Sequence, residues 1–160
     1  MKLLPIGKTL EDNQDFLAHP DCCESLSMSV DFYNRIGFNP PWIGYYAQQE
    51  GKLVGAAGYK GKPVNNTVEI AYGTFPAFRG KGIGTQICRE LVLLALQTDP
   101  MIRITARTLP ENNESASILK KNGFVCLGTI WDEDDGNVWD EDDGNVWEWE
   151  YQKTPVTYNN

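Results

Sequence analysis

The chain has little histidine and no long apolar run. Its one histidine is His19, so a catalytic triad or a metal site built on histidine lacks its main residue type. The cysteines show neither metal-ligand spacing nor a Cys-x-x-Cys pair, which indicates reduced thiols, no metal and a cytoplasmic protein. No apolar window is long enough for a membrane span or a signal peptide, so we expect no membrane association.

Basic residues are also in the minority, with 14 Lys and Arg against 22 Asp and Glu and a net charge of −8. Such a chain repels nucleic-acid phosphates, so we expect no nucleic-acid partner. The acidity either attracts a cationic substrate modestly or serves solubility alone, and the sequence leaves both open. With 160 residues and 41% hydrophobic content, the chain suits a single well-cored domain over residues 1–160.

The most informative segment is 79–85, Arg-Gly-Lys-Gly-Ile-Gly-Thr. It lies between an extended apolar run at 68–75 and a helical pattern of apolar residues from Ile83 onward. Glycines at such a strand-to-helix turn allow backbone N–H groups to converge without Cβ obstruction, beside the positive end of the helix. This geometry predicts an anion site, most plausibly for a pyrophosphate.

Two glycine-rich phosphate loops do not fit this segment. A P-loop requires a Lys-Ser/Thr pair after the glycines, and a dinucleotide fingerprint requires glycine where Ile87 stands. The pattern that fits is Arg-x-x-Gly-x-Gly, given by Arg79, Gly82 and Gly84. In this pattern the sequence resembles the GNAT superfamily of acetyl-CoA-dependent N-acetyltransferases.

A second block, 110–124, resembles the GNAT segment that runs from Asn through a short helix to Gly-Phe. Its Pro-Glu-Asn…Ser form is similar to the branch that contains ribosomal-protein N-terminal acetyltransferases. The resemblance implies an α/β (α+β) GNAT acyl-CoA N-acyltransferase fold, with a central, mostly antiparallel mixed sheet flanked by helices. We expect this sheet to end in an extended acidic C-terminal hairpin.

The resemblance also implies the residues that bind acetyl-CoA. In GNAT folds the fourth and fifth strands splay apart, and the freed backbone groups hold the pantetheine arm, while the glycine loop binds the pyrophosphate. The matching positions in the strand are Tyr72, Gly73, Thr74 and Phe75. Those in the loop are Arg79, Gly80, Lys81, Gly82, Ile83, Gly84 and Thr85. Asn112 in the second block is expected beside the same carrier.

Two residues are candidates for proton transfer. Glu69 lies in an otherwise apolar strand, where many GNAT enzymes carry a general base, although an outward-facing structural charge fits the residue nearly as well. Many members carry a tyrosine acid where Leu119 stands here, which removes that role. Ser115, one helical turn earlier, is a candidate relay, and helix capping is the alternative for both Ser115 and Asn112.

The pattern of apolar residues predicts two helices, three strands, a helix, a strand, a helix and two strands. Thr9-x-x-Asp12 and Asp21-x-x-Glu24 are typical of helix starts. Residues 131–138 are then repeated without change as 139–146. Eight is an even number, so the insertion preserves strand alternation and predicts a longer hairpin or an acidic loop. Strand exchange in a homodimer is a second interpretation, and calcium binding fits poorly.

These observations predict an acetyl-CoA-dependent N-acetyltransferase that acetylates a primary amine by direct attack, on a protein N-terminus or a small molecule. The alternative is a non-catalytic acyl-CoA-binding or sensory module of the same fold. A third interpretation is a structural protein that self-associates through the repeated segment. Neither the acceptor amine nor the general acid follows from the sequence.

Overall fold

The computed structural model describes residues 1–132 and 144–153, which form seven strands and four α-helices. The strands are β1 (Lys2–Pro5), β2 (Gly44–Gln49), β3 (Lys52–Tyr59), β4 (Thr67–Thr74), β5 (Arg103–Thr108), β6 (Phe124–Asp132) and β7 (Gly144–Tyr151). The helices are α1 (Gln14–Leu17), α2 (Cys23–Ile36), α3 (Ile83–Thr98) and α4 (Glu114–Lys121). No helix within these ranges is long and apolar enough to cross a membrane.

All strands join one sheet in the order β1-β2-β3-β4-β5-β7-β6. The β4–β5 pair is parallel, and the other neighbouring strands are antiparallel. A parallel pair needs a crossover between its strands, and α3 provides it. The predicted central, mostly antiparallel mixed sheet is therefore confirmed.

Helices cover both faces of the sheet. Neighbouring residues in a strand point to opposite sides, so each strand can contact a helix on either face. The Tyr59 hydroxyl of β3 donates a hydrogen bond to the Leu91 carbonyl of α3 at 2.6 Å. On the other face, the Tyr46 hydroxyl of β2 lies 2.8 Å from the Ser25 hydroxyl of α2. We call these two faces the α3 side and the α2 side of the sheet.

The structure corrects the predicted N-terminal region in two places. The prediction of helix alone misses β1, a four-residue strand that pairs with β2 at the edge of the sheet. Asp21 does not cap α2, whose N-cap is Cys22 without a side-chain cap bond. The Thr9 and Asp12 side chains do form the expected local contact, in which the Thr9 hydroxyl donates to Asp12 Oδ2 at 2.9 Å. The contact precedes a 3₁₀ turn and the single turn of α1, rather than a long helix.

The predicted C-terminal hairpin is present in the form of β6 and β7, which remain paired to Asp132↔Gly144. Most of the tandem repeat, residues 133–143, lies outside the described residues, and so does the prediction of its acidic tip. Because Gly136-Asn137-Val138 and Gly144-Asn145-Val146 are identical in sequence, deletion of residues 139–146 restores the start of β7 unchanged.

We expect this deletion variant to fold with its sheet intact. The deletion shortens the connection between the paired ends from residues 133–143 to residues 133–135, and three-residue hairpin loops are common. Circular dichroism and thermal melts of the two proteins should then superimpose within a few degrees. A variant that melts with a broad, low transition would show instead that the repeat is part of the folded sheet.

Buried tyrosines predict how stability depends on pH. Burial raises the pKa of Tyr33 and of Tyr45 to about 12. The unfolded chain releases these protons near pH 10, before the folded chain does, so stability is fully present below that pH. The free energy of unfolding should fall as pH rises from about 10 to about 12. Thermal melts across this range test the prediction, and Tyr45→Phe should reduce the decline.

Candidate active site

β4 and β5 separate partway along the sheet. Their parallel pairing runs from Thr67↔Arg103 to Ile70↔Ala106. The pairing of β4 with β3 on its other side continues to Gly55↔Thr74. Within the described chain, residues 71–74 of β4 therefore pair on one side only. Their remaining backbone groups face a gap in the sheet and, apart from the Thr74 carbonyl, which accepts from Arg79 Nε, are available to a ligand.

Beyond this gap, the glycine loop presents a row of N–H groups. The first hydrogen bond of α3 that reaches back into the loop joins the Gln86 N–H to the Gly82 carbonyl at 3.3 Å. Among the described residues, no hydrogen bond uses the N–H groups of residues 80–85 as donors. Gly82, the N-cap of α3, holds a left-handed conformation with φ +76°, and Gly80 has φ +78°. The loop thus has the donors and the helix end of an anion site.

The three glycines have different roles. A Cβ built on Gly80 or on Gly82 meets no atom within 4 Å, so both border open space. A Cβ on Gly84 would lie 2.7 Å from Ile118 Cδ1, because this glycine allows α3 to approach α4 closely. Close packing alone thus explains Gly84 but not the other two glycines.

A cavity of about 210 Å³ joins the gap, the loop and α4 on the α3 side of the sheet. The residues that line it are Tyr72, Gly73, Thr74, Arg79, Gly84, Glu114, Ser115 and Ile118. Six of these were predicted as site residues, whereas Glu114 and Ile118 were not. The volume is below the roughly 300 Å³ at which pockets for drug-sized molecules begin, so the cavity suits a narrow chain.

The charged groups of the loop lie at its rim. Arg79 donates from Nε to the Thr74 carbonyl at 3.4 Å, which joins the loop to the end of β4. The Lys81 ammonium lies 5.9 Å from the centre of the Phe78 ring. Both side chains are exposed and can turn towards an anion, whereas Ile83 is buried in the core.

The Tyr72 side chain points away from the gap, into the core beneath α3. Its hydroxyl is hydrogen-bonded to the Cys88 thiol, and burial raises the pKa of Tyr72. Burial also raises the pKa of Cys88 to about 12, so neither group ionises near neutral pH. Tyr72 therefore offers its backbone to the gap rather than its side chain.

Glu69 lies just before the gap and is held by two cations. Its Oε2 atom is 2.7 Å from Lys60 Nζ, and its Oε1 atom is 3.4 Å from Arg107 Nε. The Glu69 side chain is 17% exposed and that of Lys60 is 11% exposed. At this depth the two cations stabilise the ionised carboxylate and fix its position.

Glu69 and the cavity lie on opposite faces of the sheet. Tyr72 and Thr74 point to the α3 side, as their contacts with Cys88 and with the Gly84 position require. Glu69 is separated from both by an odd number of residues, so its side chain points to the α2 side. Glu69 thus precedes the gap on one face of the sheet, and the cavity adjoins the gap on the other.

Two predicted residues on the 110–124 block have different surroundings. Ser115 lines the cavity from the first turn of α4. Asn112 is exposed, and its Oδ1 accepts a hydrogen bond from Lys120 Nζ at 3.3 Å, outside the cavity lining. Asn113 caps α4 by accepting from the Ala116 N–H at 2.9 Å, so helix capping explains neither Ser115 nor Asn112.

Two further predicted residues border the loop and the strand end. Phe75 packs on the α2 side, with its ring 6.0 Å from the His19 ring and its N–H bonded to the Val54 carbonyl at 2.9 Å. Thr85 is half-buried, and its carbonyl accepts from Asn122 Nδ2 at 3.2 Å. The Thr85 N–H group belongs to the row of N–H groups at residues 80–85 that donate no hydrogen bond among the described residues.

A larger cavity of about 730 Å³ lies beside α1, with Phe16, His19 and Phe78 in its lining. Its lining contains none of the predicted site residues and none of residues 71–74, the unpaired edge of β4. We therefore place the candidate site at the smaller cavity. In the described ranges, no group of three or more His, Cys, Asp or Glu residues is arranged to hold a metal ion.

Comparison with known proteins agrees with this geometry. Residues 2–125 match the acetyltransferase (GNAT) domain family. The uncharacterized N-acetyltransferase YjdG of Bacillus subtilis (strain 168) is 35% identical over 75 residues, which is 46% of this chain and 45% of that relative. The match thus spans less than half of the relative.

Solved structures share the fold. A ribosomal-protein-alanine N-acetyltransferase from Brucella melitensis has a TM-score of 0.55 at 22% identity, over 89% of this chain and 77% of that one. A spermidine N-acetyltransferase SpeG chimera from Vibrio cholerae and hSSAT has a TM-score of 0.65 at 14% identity, over 94% and 95%.

The aminoglycoside acetyltransferase AAC(6')-Ib, in complex with coenzyme A and kanamycin, has a TM-score of 0.57 at 22% identity, over 69% of this chain and 66% of that one. At such identities, these structures support the fold. The match over residues 2–125 supports the family. The predicted resemblance is thereby confirmed: the chain belongs to the acetyltransferase (GNAT) domain family.

Proposed function

We propose that this protein is an acetyl-CoA-dependent N-acetyltransferase that acetylates a primary amine by direct attack. The observation that carries the proposal is the unpaired edge of β4 at residues 71–74, which leads to the unbonded N–H row at residues 80–85. A strand edge suits the amide groups of a pantetheine chain, and a helix N-terminus suits a pyrophosphate. Tyr72, Gly73 and Thr74 of the strand edge and Gly84 of the N–H row line the same cavity.

The residues present fit this co-substrate. Gly80 and Gly82 leave open the space that a Cβ would fill, so a phosphate can approach the backbone. The N–H groups of residues 80–85 would bind the pyrophosphate, with Arg79 and Lys81 adding charge at the rim. The backbone of Tyr72, Gly73, Thr74 and Phe75 would hold the pantetheine arm. Asn112 would contact the carrier from outside the cavity lining.

When bound, acetyl-CoA supplies the acetyl group as a thioester, whose carbonyl carbon the amine attacks. Glu69 accepts the proton that the amine loses, directly or through one water, and its charge attracts the cationic form of the acceptor. Lys60 and Arg107 keep the Glu69 carboxylate in place at the α2 side of the gap. Ser115 lines the cavity and would relay a proton from water to the thiolate that leaves as the amide bond forms.

The acceptor is a primary amine that reaches the gap from the α2 side. The relatives named above act, by their names, on a ribosomal-protein alanine, on spermidine and on aminoglycosides. Each of these acceptors carries a primary amine. The net charge of −8 favours cationic amines during encounter, so we expect polyamines and aminoglycosides to be accepted at least as readily as neutral peptides.

A panel of amines tests the proposal through release of coenzyme A, followed with a thiol reagent. Peptides with free N-termini, polyamines and aminoglycosides form the panel, and water is the control acceptor. The proposal requires release above the water rate with at least one amine and an acetylated product by mass spectrometry. Saturable acetyl-CoA binding without turnover would identify a non-catalytic module, and absence of binding would reject the site itself.

A further inference from the structure

The α2 side of the sheet carries three carboxylates at or near the gap. Glu69 of β4 pairs with Thr105 of β5, and Thr105 pairs with Glu150 of β7, so Glu69 and Glu150 lie in one row across the sheet. Glu148 lies two residues before Glu150 in β7, so its side chain points to the same side. Its partner in β5 is Arg107, which lies just beyond the last residue that pairs with β4. Glu148 is therefore level with the start of the gap.

Two of these carboxylates are already bound by cations of the chain. Glu69 is held by Lys60 and Arg107. The Glu150 carboxylate accepts a hydrogen bond from Arg103 Nε at 3.1 Å. The half-buried third carboxylate, at position 148, forms no ion pair and no hydrogen bond within the described part of the chain. A half-buried carboxylate without such a partner is able to bind a cation of a ligand.

The two strands beside Glu148 leave its carboxylate accessible. In β6 the opposite residue is Gly128, which has no side chain, and a Cβ built there meets no atom within 4 Å. In β5 the opposite residue is Arg107, whose Nε lies 3.4 Å from Glu69 Oε1. Arg107 thus lies between two carboxylates, one that it holds and one that it does not.

The register of the sheet gives the distance between these two carboxylates. Glu148 lies two strands and two residues away from Glu69. With strands about 4.8 Å apart and about 3.4 Å per residue, the two backbone positions are about 12 Å apart. An extended chain of about nine bonds, as many as in three extended residues, covers about 10–11 Å. A linear molecule with a cation at each end can therefore reach both carboxylates.

The position of Arg107 restricts the middle of such a molecule. A cation halfway along the chain would lie near the guanidinium and be repelled, whereas uncharged methylene groups would not. The arrangement of charges on this face is therefore negative, positive, negative from Glu69 through Arg107 to Glu148. It is complementary to a molecule that is charged at its two ends and neutral between them.

We propose that Glu148 determines acceptor specificity by binding a second ammonium group, and that the preferred acceptors are linear diamines with an uncharged chain between two terminal amines. The inference rests on the proposed function, because it places the reacting amine at Glu69. The second ammonium takes no part in the chemistry. It remains protonated at Glu148 while the first amine, having lost its proton, forms the amide bond.

Three acceptors of equal length test the proposal. They are 1,8-diaminooctane, 8-amino-1-octanol, which replaces the second ammonium with a hydroxyl, and spermidine, which adds an internal ammonium. The wild type should acetylate the diamine with a kcat/KM at least fivefold above that of the amino alcohol, which exceeds the factor of two that two reactive ends provide. Spermidine should be a poorer acceptor than the diamine despite its greater charge.

Glu148→Gln should reduce the preference for the diamine to about twofold, while kcat/KM for the amino alcohol stays within about twofold of the wild type. Glu150→Gln is the matched control, because it removes one negative charge from the same strand and face but leaves Glu148 in place. It should preserve the preference, since long-range attraction changes equally in both variants. Equal preferences in Glu148→Gln and the wild type would overturn the proposal, as would an equal loss in both variants or a better rate with spermidine.

Calorimetry separates this inference from the proposed function, because it measures binding of 1,8-diaminooctane without turnover. The dissociation constant should be at least fivefold higher in Glu148→Gln than in the wild type and in Glu150→Gln. If no amine is acetylated, the proposed function fails, and this difference in binding alone would still support a cation site at Glu148. Equal dissociation constants in the three proteins would reject that site even if amines are acetylated.

Discussion

Glu69→Gln should lower kcat about a hundredfold while the acetyl-CoA dissociation constant stays within about twofold of the wild type. The substitution keeps the shape of the side chain but removes the group proposed to accept the amine proton. Glu69 lies on the face opposite the cavity, so cofactor binding should not depend on its charge. Steady-state kinetics with the best amine of the panel and calorimetry with acetyl-CoA measure the two effects separately.

Glu150→Gln is a matched control for this variant. Thr105 of β5 pairs with Glu69 on one side and with Glu150 on the other, so both carboxylates lie in one row of the sheet. Their side chains are 17% and 19% exposed, and each is ion-paired, Glu150 with Arg103. If loss of an ion pair alone slows the enzyme, both variants should slow equally.

Three outcomes would contradict the proposed role of Glu69. They are an unchanged kcat in Glu69→Gln, an equal loss in Glu150→Gln, and a loss of acetyl-CoA affinity that matches the loss of rate. The pH profile adds an independent readout, because removal of the general base should abolish the acid limb of kcat/KM. Thermal melts of both variants show whether loss of the ion pair between Lys60 and Glu69 destabilises the fold.

Gly82→Ala should weaken acetyl-CoA binding at least tenfold. A Cβ at this position enters the open space in front of the N–H row, and the φ of +76° adds backbone strain of about 1–2 kcal/mol. The strain shifts the loop away from the arrangement that presents its N–H groups. Titration calorimetry with acetyl-CoA measures the effect, and desulfo-coenzyme A shows whether it concerns the carrier rather than the acetyl group.

Gly51→Ala is a control that separates the effect of backbone strain from the effect of a Cβ atom blocking the N–H groups of the loop. Gly51 lies in the β2–β3 turn with φ +77°, and a Cβ built there also meets no atom within 4 Å. The two substitutions thus introduce nearly the same strain at two different places. Equal acetyl-CoA affinity in Gly82→Ala and Gly51→Ala would contradict the assignment of the loop, whereas a loss confined to Gly82→Ala supports it.

The order of elements from β2 onward could be predicted because each element carries its own periodic pattern and ends at glycine or proline. Lys2–Pro5 could not, since four residues hold too few alternations to distinguish a strand from a loop. At α4, adjacent asparagines both suit a helix start, and only the structure shows that Asn113 is the cap and Asn112 is not. Two adjacent asparagines have the same propensity to cap a helix, so the sequence alone does not identify the cap.

The loop and the end of β4 were predictable from a contiguous motif, whereas the surroundings of Glu69 were not. Lys60, Glu69 and Arg107 come from three separate parts of the chain, and their association depends on sheet register. The carboxylate therefore appears in the sequence as an isolated charge. Glu114 and Ile118 were missed for the same reason, because they enter the cavity only when α4 packs against Gly84.

β4 and β5 separate beyond Ile70 and Ala106, with Glu69 on one face and the cavity on the other, and this has a kinetic consequence for the proposed reaction. If the carrier binds on the α3 side and the amine arrives from the α2 side, as proposed, neither has to depart before the other can bind. Initial-rate plots against both reactants should therefore intersect, rather than run parallel as they do for a double-displacement enzyme. Either product can then dissociate first, so we expect product release in random order.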